Sequence, residues 1–260
     1  MTNYGICLQA IVPVRKSPGD RNEMVNQLLF GELVHIKDVF EDWFLIEGTD
    51  DNYEGWAGKK QIHELSDETY NHLLSAPKFF LNEIMGRCTS QTDQSSTYLV
   101  LGSQFPGLKN GKFELDGQKF TLEGTYHPVP EHAEKKQLTV TAMKYLNTPY
   151  LWGGRSPFGI DCSGLTQIVF SICGYQLPRD AAQQVALGET IDFNHEAEPG
   201  DLAFFGNEDR EIIHVGIVLD GQRIIHASGK VRIDHLDHQG IYNKQDNKYS
   251  HNLRLIKRIL

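Results

Sequence analysis

Short runs in which apolar and polar residues alternate fill the first quarter of the chain. "CLQAIVPVR", "LVHIKDVF", "WFLIEG" and "EGWAGKK" each read as a strand, and turn residues separate them. Together they predict a small β-barrel over residues 1–65, with "SPGDRNEMVNQLLFGELV" as a long connecting loop that ends in a glycine turn. Residues 66–77 change to a short helix in "SDETYNHLLSA", with Ser66 as its N-cap and acids in its first turn. Strand patterns return over residues 78–126, in "FFLNEIMGRCTS", "TYLVLGSQF" and "GKFELDGQKFTLEG". Asp116-Gly117 in the last of these is a hairpin dipeptide. Two successive β segments of this size predict a tandem pair of one small barrel type.

The pattern changes after a polar, proline-bearing linker over residues 127–133. Leu138, Ala142, Tyr145 and Leu146 have helical spacing. In "CSGLTQIVFSICGY", Leu165, Ile168, Val169 and Ile172 recur at i, i+3, i+4 and i+7, which makes one apolar helical face, and Gly174 supplies the stop. "PRDAAQQVALG" reads as another short helix. The strands "DLAFFG", "HVGIVLD", "RIIHASG" and "LRLIKRIL" follow. Helices first and antiparallel strands second predict an α+β domain over residues 134–260.

Composition narrows the function classes. The chain has 260 residues, 40% of them hydrophobic, enough for one large domain or two to three small ones, and a formal net charge of −9. The excess of acid argues against nucleic acid as a partner, because phosphate contacts need clustered Lys and Arg. No apolar stretch approaches the roughly 18–20 residues that span a bilayer, so no membrane partner is expected. The start "MTNYGICLQAIVPVRKSP" lacks the basic and then apolar character of a signal peptide, which points to the cytoplasm. A leader removed ahead of Met1 would instead point to the periplasm or the exterior. Cys7, Cys88, Cys162 and Cys173 are widely and irregularly spaced, unlike a disulfide framework. On one helix Cys162 and Cys173 would lie about 16 Å apart and could not bridge. Reduced thiols fit best.

One of those thiols carries candidate chemistry. "GIDCSGL" places Cys162 at the start of a helix, where the dipole and free N–H groups favour a thiolate and lower its pKa. His214 begins "HVGIVLD" and His226 lies near the end of "RIIHAS"; the turn "DGQR" joins these runs into a hairpin. His214 is then a candidate general base, and His226 a candidate to orient it through its second ring nitrogen, a triad without a carboxylate. The same residues also read as a small buried thiol and two strand histidines, or as a zinc set. Against zinc, none of the three lies in a close ligand pair. Spacing alone leaves these readings open.

"TPYLWGGRSPFGIDCSGLTQIVF", "EPGDLAFFG" and "IIHVGIVLDGQRIIHASG" resemble, in order, the NlpC/p60 cysteine peptidases, and the resemblance covers residues 134–260. It implies a papain-like catalytic domain with Cys162 as nucleophile, His214 as base and His226 as third residue. Tyr150 of the "Y-x-W-G-G" segment falls on the family's oxyanion-site tyrosine, and Trp152 lies in the same segment. "RNEMVNQLLFGE", "YEGWAG" and "LPRDAAQQ" are similar to the subgroup of γ-D-glutamyl-L-diamino acid endopeptidases, of the dipeptidyl-peptidase VI type, which carry SH3-like domains ahead of the catalytic one. That likeness implies release of L-Ala-γ-D-Glu from free murein tripeptides or tetrapeptides with a free N-terminal L-Ala. A free amine calls for a buried or half-buried carboxylate, and Asp180 falls on the subgroup's amine-binding aspartate, although Ala181 stands where a serine often follows. Tyr53 and Glu23 are the candidates from the first SH3-like domain. Asp161 and Ser163 flank the nucleophile and cap or orient it, and Ser228 completes the substrate-facing set. Arg155 and Arg179 are open between substrate carboxylates and surface roles. Cys173 reads as core, and Trp43 and Trp56 as barrel core or interface. No metal or organic cofactor is implied, and a monomer or weak oligomer is expected. The alternatives are a thiol-dependent amidase or acyltransferase, and a wall-binding hydrolase of intact peptidoglycan.

Overall fold

A computed structural model describes residues 3–115, 117–131, 133–192, 196–209, 211–219 and 222–260. Asp116 of the first expected turn, His132 of the linker and Asp220-Gly221 of the second turn lie outside the described residues. The chain forms two compact units. One comprises Met1–Pro130 with Gly153–Pro157, and the other Glu131–Trp152 with Phe158–Leu260.

The first unit opens with β1 (Tyr4–Cys7), β2 (Ile11–Arg15), β3 (Met24–Leu29), β4 (Leu33–Phe40), β5 (Trp43–Gly48), β6 (Glu54–Gly58) and β7 (Ile62–Leu65). They make one antiparallel sheet in the order β3-β2-β6-β5-β4-β1-β7. Two expectations change here. "CLQAIVPVR" is two strands, because β1 pairs with β4 and β7 whereas β2 pairs with β3 and β6. The expected long loop contains β3, in register with β2 from Ile11↔Leu29 to Arg15↔Met24. Residues 26–30 are buried without a break, so this strand carries no alternation for a period-two pattern to find. Trp43 and Trp56 are half-buried.

Helix α1 (Asp67–Ser75) starts as its sequence dictates: the Ser66 hydroxyl accepts from the Thr69 N–H at 3.1 Å, and Asp67 and Glu68 fill the first turn. Beyond it lie β8 (Phe79–Leu81), β9 (Met85–Ser90), β10 (Ser96–Val100), β11 (Lys112–Leu115), β12 (Gln118–Glu123) and β13 (Tyr126–Pro128). The expected second barrel is a four-stranded sheet, β10-β9-β12-β11, beside a separate β13-β8 pair. "FFLNEIMGRCTS" breaks at residues 82–84, so its two halves pair with different partners. Phe30 from the first sheet packs with Leu81, Cys88, Leu99, Phe105, Leu108, Phe113 and Leu122, and this shared core makes one unit of both β segments. At this junction the Gln104 N–H donates to the Phe30 carbonyl at 2.7 Å. Gly31 sits there at φ +86°, where a Cβ would lie 1.9 Å from the Gln104 oxygen.

The second unit holds α2 (Lys135–Met143), α3 (Cys162–Ile172) and α4 (Ala181–Gln184), then β16 (Glu189–Ile191), β17 (Leu202–Gly206), β18 (Ile212–Val218), β19 (Arg223–Ser228), β20 (Lys230–Leu236), β21 (Gly240–Asn243) and β22 (Lys248–Arg258). The two-residue strands β14 (Arg155–Ser156) and β15 (Gly159–Ile160) precede α3. The sheet order is β16-β22-β17-β18-β19-β20-β21, and β22 also pairs with β21. The expected antiparallel strands close into a six-stranded ring, β17 to β22. Closure comes from the length of β22, eleven residues that pair with β21 through Lys248–Asn252 and with β17 through Asn252–Lys257. Ala203, Phe205, Val218, Ile224, Leu236, Ile241 and Ile256 form one core cluster of this ring. Helix α3 is buried on every side except at Ser171, which makes it a core helix rather than an amphipathic surface one. It stops at Gly174, φ +88°, where the Gly174 N–H donates to the Ser171 carbonyl and the Tyr175 N–H to the Phe170 carbonyl.

Gly31→Ala is expected to destabilise the protein by at least about 1–3 kcal/mol, since the new Cβ meets backbone and the conformation is left-handed. Thermal denaturation followed by circular dichroism measures this, and an unchanged Tm would refute the close approach.

Candidate active site

Cys162 is the first residue of α3, and Asp161 is its N-cap. The Asp161 carboxylate accepts from the Gly164 N–H at 2.7 Å, which leaves the earlier helix N–H groups facing the thiol. The Cys162 Sγ meets the backbone N–H groups of Ser163 and Val215. Val215 follows His214 on β18, so the base candidate and the thiol meet where α3 packs on that strand.

Alternation along the strands sets the rest. His214 shares a face of β18 with Val218, His226 a face of β19 with Ile224, and Asp234 a face of β20 with Leu236. His226 lies opposite Gly216, so His214 is its diagonal neighbour. His214 Nε2 and His226 Nδ1 are 2.8 Å apart, and His226 Nε2 is 3.0 Å from Asp234 Oδ2. The Arg232 guanidinium holds the other oxygen of Asp234 at 2.9 Å and also reaches Asn243. All three relay residues are buried or nearly so: His214 is 5% exposed, His226 1% and Asp234 9%. The carboxylate fixes the tautomers. Asp234 accepts from His226 Nε2–H, so His226 Nδ1 accepts from His214 Nε2–H, and His214 Nδ1 is left as the free base position.

Electrostatics correct one expectation. Burial pushes the Cys162 thiol up to about 11, and the Asp161 charge adds to this; the N–H groups of Val215 and Ser163 and the Arg179 charge only partly offset it. Burial also holds His214 well below the ordinary histidine value, with His251 and His226 acting in the same direction. The resting pair is therefore a neutral thiol and a neutral imidazole. The helix start does favour the thiolate, but desolvation of a thiol only 8% exposed outweighs it. Burial opposes ionisation of Asp234 as well, yet hydrogen bonds from His226 and Arg232 outweigh it and hold that carboxyl below the usual range.

The remaining candidates fall in different places. Tyr150 is 37% exposed, and its N–H donates to the Gly229 carbonyl at 3.0 Å, next to Ser228 at the end of β19. Burial raises its phenol to about 12, with the Cys162 and Asp161 charges in the same direction, so the hydroxyl stays a donor at neutral pH. Trp152 is exposed and Ser228 half-buried. Ser163 accepts from Arg179 Nη1 at 3.0 Å, and Arg179 pairs with both oxygens of Asp161. Asp180 is exposed, not buried as an amine-binding carboxylate was expected to be; it N-caps α4, and its N–H faces Gln183 Oε1 at 3.4 Å. Tyr53 and Glu23 belong to the first unit, where Tyr53 is half-buried and Glu23 is exposed and 3.7 Å from Lys16.

Neither arginine left open above has a surface role. Arg179 is 1% exposed and braces Asp161, while Arg155, in the first unit, forms a buried pair with Glu32 and donates to the Gln27 carbonyl. All four cysteines are free, and Cys173 is core. Sequence reasoning missed Asp234, Arg232 and His251. "KVRIDHL" was not read as a strand, although its alternation and the preceding glycine turn signal one. His251 lies in a polar stretch with no such signal. His214, His226 and His251 are also the described residues that could hold a metal ion, with ligand atoms within 4.8 Å of one another.

Comparisons with known proteins give the chain's likenesses. Residues 147–249 match the NlpC/P60 family, and residues 14–62 match the bacterial dipeptidyl-peptidase Sh3 domain. The γ-D-glutamyl-L-lysine dipeptidyl-peptidase of Bacillus subtilis (strain 168) is 28% identical over 221 residues, 79% of this chain and 73% of that protein. Dipeptidyl-peptidase 6 of Lysinibacillus sphaericus is 28% identical over 249 residues, 86% of this chain and 88% of its own. The crystal structure of an NlpC/P60 family protein from Bacillus cereus ATCC 10987 superposes with a TM-score of 0.85 over 99% of both chains at 20% identity, which establishes the shared fold.

Two outcomes are expected. Iodoacetamide at pH 8 alkylates Cys162 about a hundredfold more slowly than an ordinary thiol, because raising the pKa from 9.0 to about 11 removes that share of thiolate. Alkylation faster than that of a free thiol at pH 7 would show an ionised resting pair instead. Asp234→Asn, measured by kcat on a cleaved peptide, is expected to lose about 10–100-fold, less than the ~10⁴-fold seen when the carboxylate touching the base itself is neutralised. Unchanged kcat would remove Asp234 from the relay.

Proposed function

We propose, for a chain that belongs to the NlpC/P60 family through residues 147–249 and is a cysteine-type hydrolase of peptidoglycan peptides, that it cleaves the bond between γ-D-glutamate and the diamino acid of free murein peptides. The observation that carries the chemistry is the buried His214–His226–Asp234 relay beside a thiol at a helix start. The likeness of both segments to dipeptidyl-peptidases supports the substrate.

The mechanism follows from the neutral resting pair. His214 Nδ1 takes the Cys162 proton as Sγ attacks the γ-amide carbonyl carbon. The positive charge that forms on His214 is stabilised through His226 by Asp234. Tyr150 O–H and the N–H groups at the start of α3 receive the oxyanion. His214 then returns the proton to the leaving amine of the diamino acid. Water, activated by the same imidazole, hydrolyses the thioester and releases L-Ala-γ-D-Glu. His226 is a positioning residue. Asp161 and Ser163, braced by Arg179, hold the helix start and with it the nucleophile.

Asp180 is the residue we give to the free N-terminal amine, with Tyr53 and Glu23 as further members on the strength of sequence likeness; Trp152 and Ser228 complete the set that meets substrate. A role in recycling wall peptides in the cytoplasm goes with this reading.

Mass spectrometry of L-Ala-γ-D-Glu-L-Lys and its diaminopimelate analogue, incubated with reduced protein, tests it. L-Ala-γ-D-Glu is expected from free-amine peptides only, and not with Cys162→Ala. Equal cleavage of N-acetylated peptides would keep the nucleophile and remove the amine role of Asp180. Cleavage of intact peptidoglycan alone, or transfer of the acyl group to an acceptor other than water, would replace the substrate reading.

A further inference from the structure

The closed sheet brings a third histidine to the relay, and peptide hydrolysis does not use it. His251 on β22 stacks on His214, with ring centroids 4.1 Å apart and planes at 22°, and meets His226 edge-on at 5.7 Å. One ring nitrogen from each of the three lies within 4.8 Å of the others. The outward nitrogens are engaged: His226 Nε2 by Asp234, and His251 Nδ1 by the Ser250 hydroxyl at 2.9 Å. That leaves His214 Nε2 and His226 Nδ1, which share one hydrogen bond, and His251 Nε2 as the nitrogens to offer an ion.

We propose that His214, His226 and His251 form a binding site for a divalent transition-metal ion of the zinc class, and that occupation of this site reversibly shuts off the peptidase. The inhibitory half rests on the function proposed above; the binding half does not. Three neutral imidazoles with an open fourth position for water make a recurrent zinc donor set. The carboxylate behind His226 is the partner that orients and strengthens a ligating imidazole. A tetrahedral ion needs nitrogens about 3.3 Å apart, so the widest separation must close by roughly 1.5 Å. His251 can supply most of that movement by side-chain rotation, because it is half-buried while His214 and His226 are buried.

Inhibition follows from the tautomer. At rest His214 carries its proton on Nε2 and donates it to His226. An ion that takes the Nε2 lone pair sends that proton to Nδ1 through solvent, and Nδ1 is the nitrogen that must accept the Cys162 proton. His214 then has no base position, although the thiol is untouched. Removing the ion returns the proton to Nε2.

Zinc chloride titrated calorimetrically into the full-length Cys162→Ala protein tests binding without the thiol as a rival ligand and without any substrate. We expect one ion per chain, and roughly tenfold or greater weakening when His251→Phe is added, which keeps a stacked ring and removes the nitrogen. His251→Gln serves if the Phe variant does not fold. Cobalt(II) in the same Cys162→Ala protein should give the visible bands of a four-coordinate site. With the Cys162 protein, zinc inhibition reversed by EDTA, with an IC50 raised at least about tenfold by His251→Phe, supports the regulatory half. Loss of zinc binding in Cys162→Ala alone, or indifference to both His251 variants, overturns the site. Binding without inhibition overturns the regulatory half and leaves the peptidase reading intact.

Discussion

Burying imidazoles side by side is the constraint from which the catalytic unit follows. Each ring nitrogen taken out of water needs a partner, and here the partners form a chain from His214 through His226 to Asp234. The chain ends on a charge, and that charge is itself buried, so Arg232 and Asn243 must hold it. Four strands of the ring therefore carry one electrostatic arrangement, and the closed topology keeps their register. An open sheet could slip by one residue and turn every one of these side chains to the other face.

The thiol is governed by a second buried network. Asp161 caps α3 and lies beside Cys162, where its charge works against ionisation of the thiol. Arg179, 1% exposed, pairs with both of its oxygens and with Ser163. This arrangement holds the helix start rigid and mutes the carboxylate's effect on the sulfur. The Cys162 sulfur meets the backbone N–H of Val215, the residue after His214, so the two networks come together on β18.

The first unit shows a different kind of dependence. Its two β segments are separate in pattern but share the core around Phe30, and Gly31 permits the close backbone approach there. The segment Gly153–Pro157 belongs to this unit through Arg155, Glu32 and Gln27, although in sequence it sits between Tyr150 and Cys162.

The chain's sequence alone determined what depends on local spacing and on motif order. Cys162 at a helix start, Ser66 as a cap, the Gly174 stop and the pairing of His214 with His226 were all legible, because each rests on a few neighbouring residues and on strand or helix periodicity. Tertiary structure decided the rest. Strand β3 escaped because burial on both faces erases alternation, and His251 because it reaches the site from a polar stretch on β22, far along the chain; Asp234 lies on β20, the strand next to His226, whose alternation does signal a strand. The protonation of Cys162 went against the local rule: a helix start favours a thiolate, but desolvation depends on everything packed around the sulfur, and no stretch of sequence contains that sum.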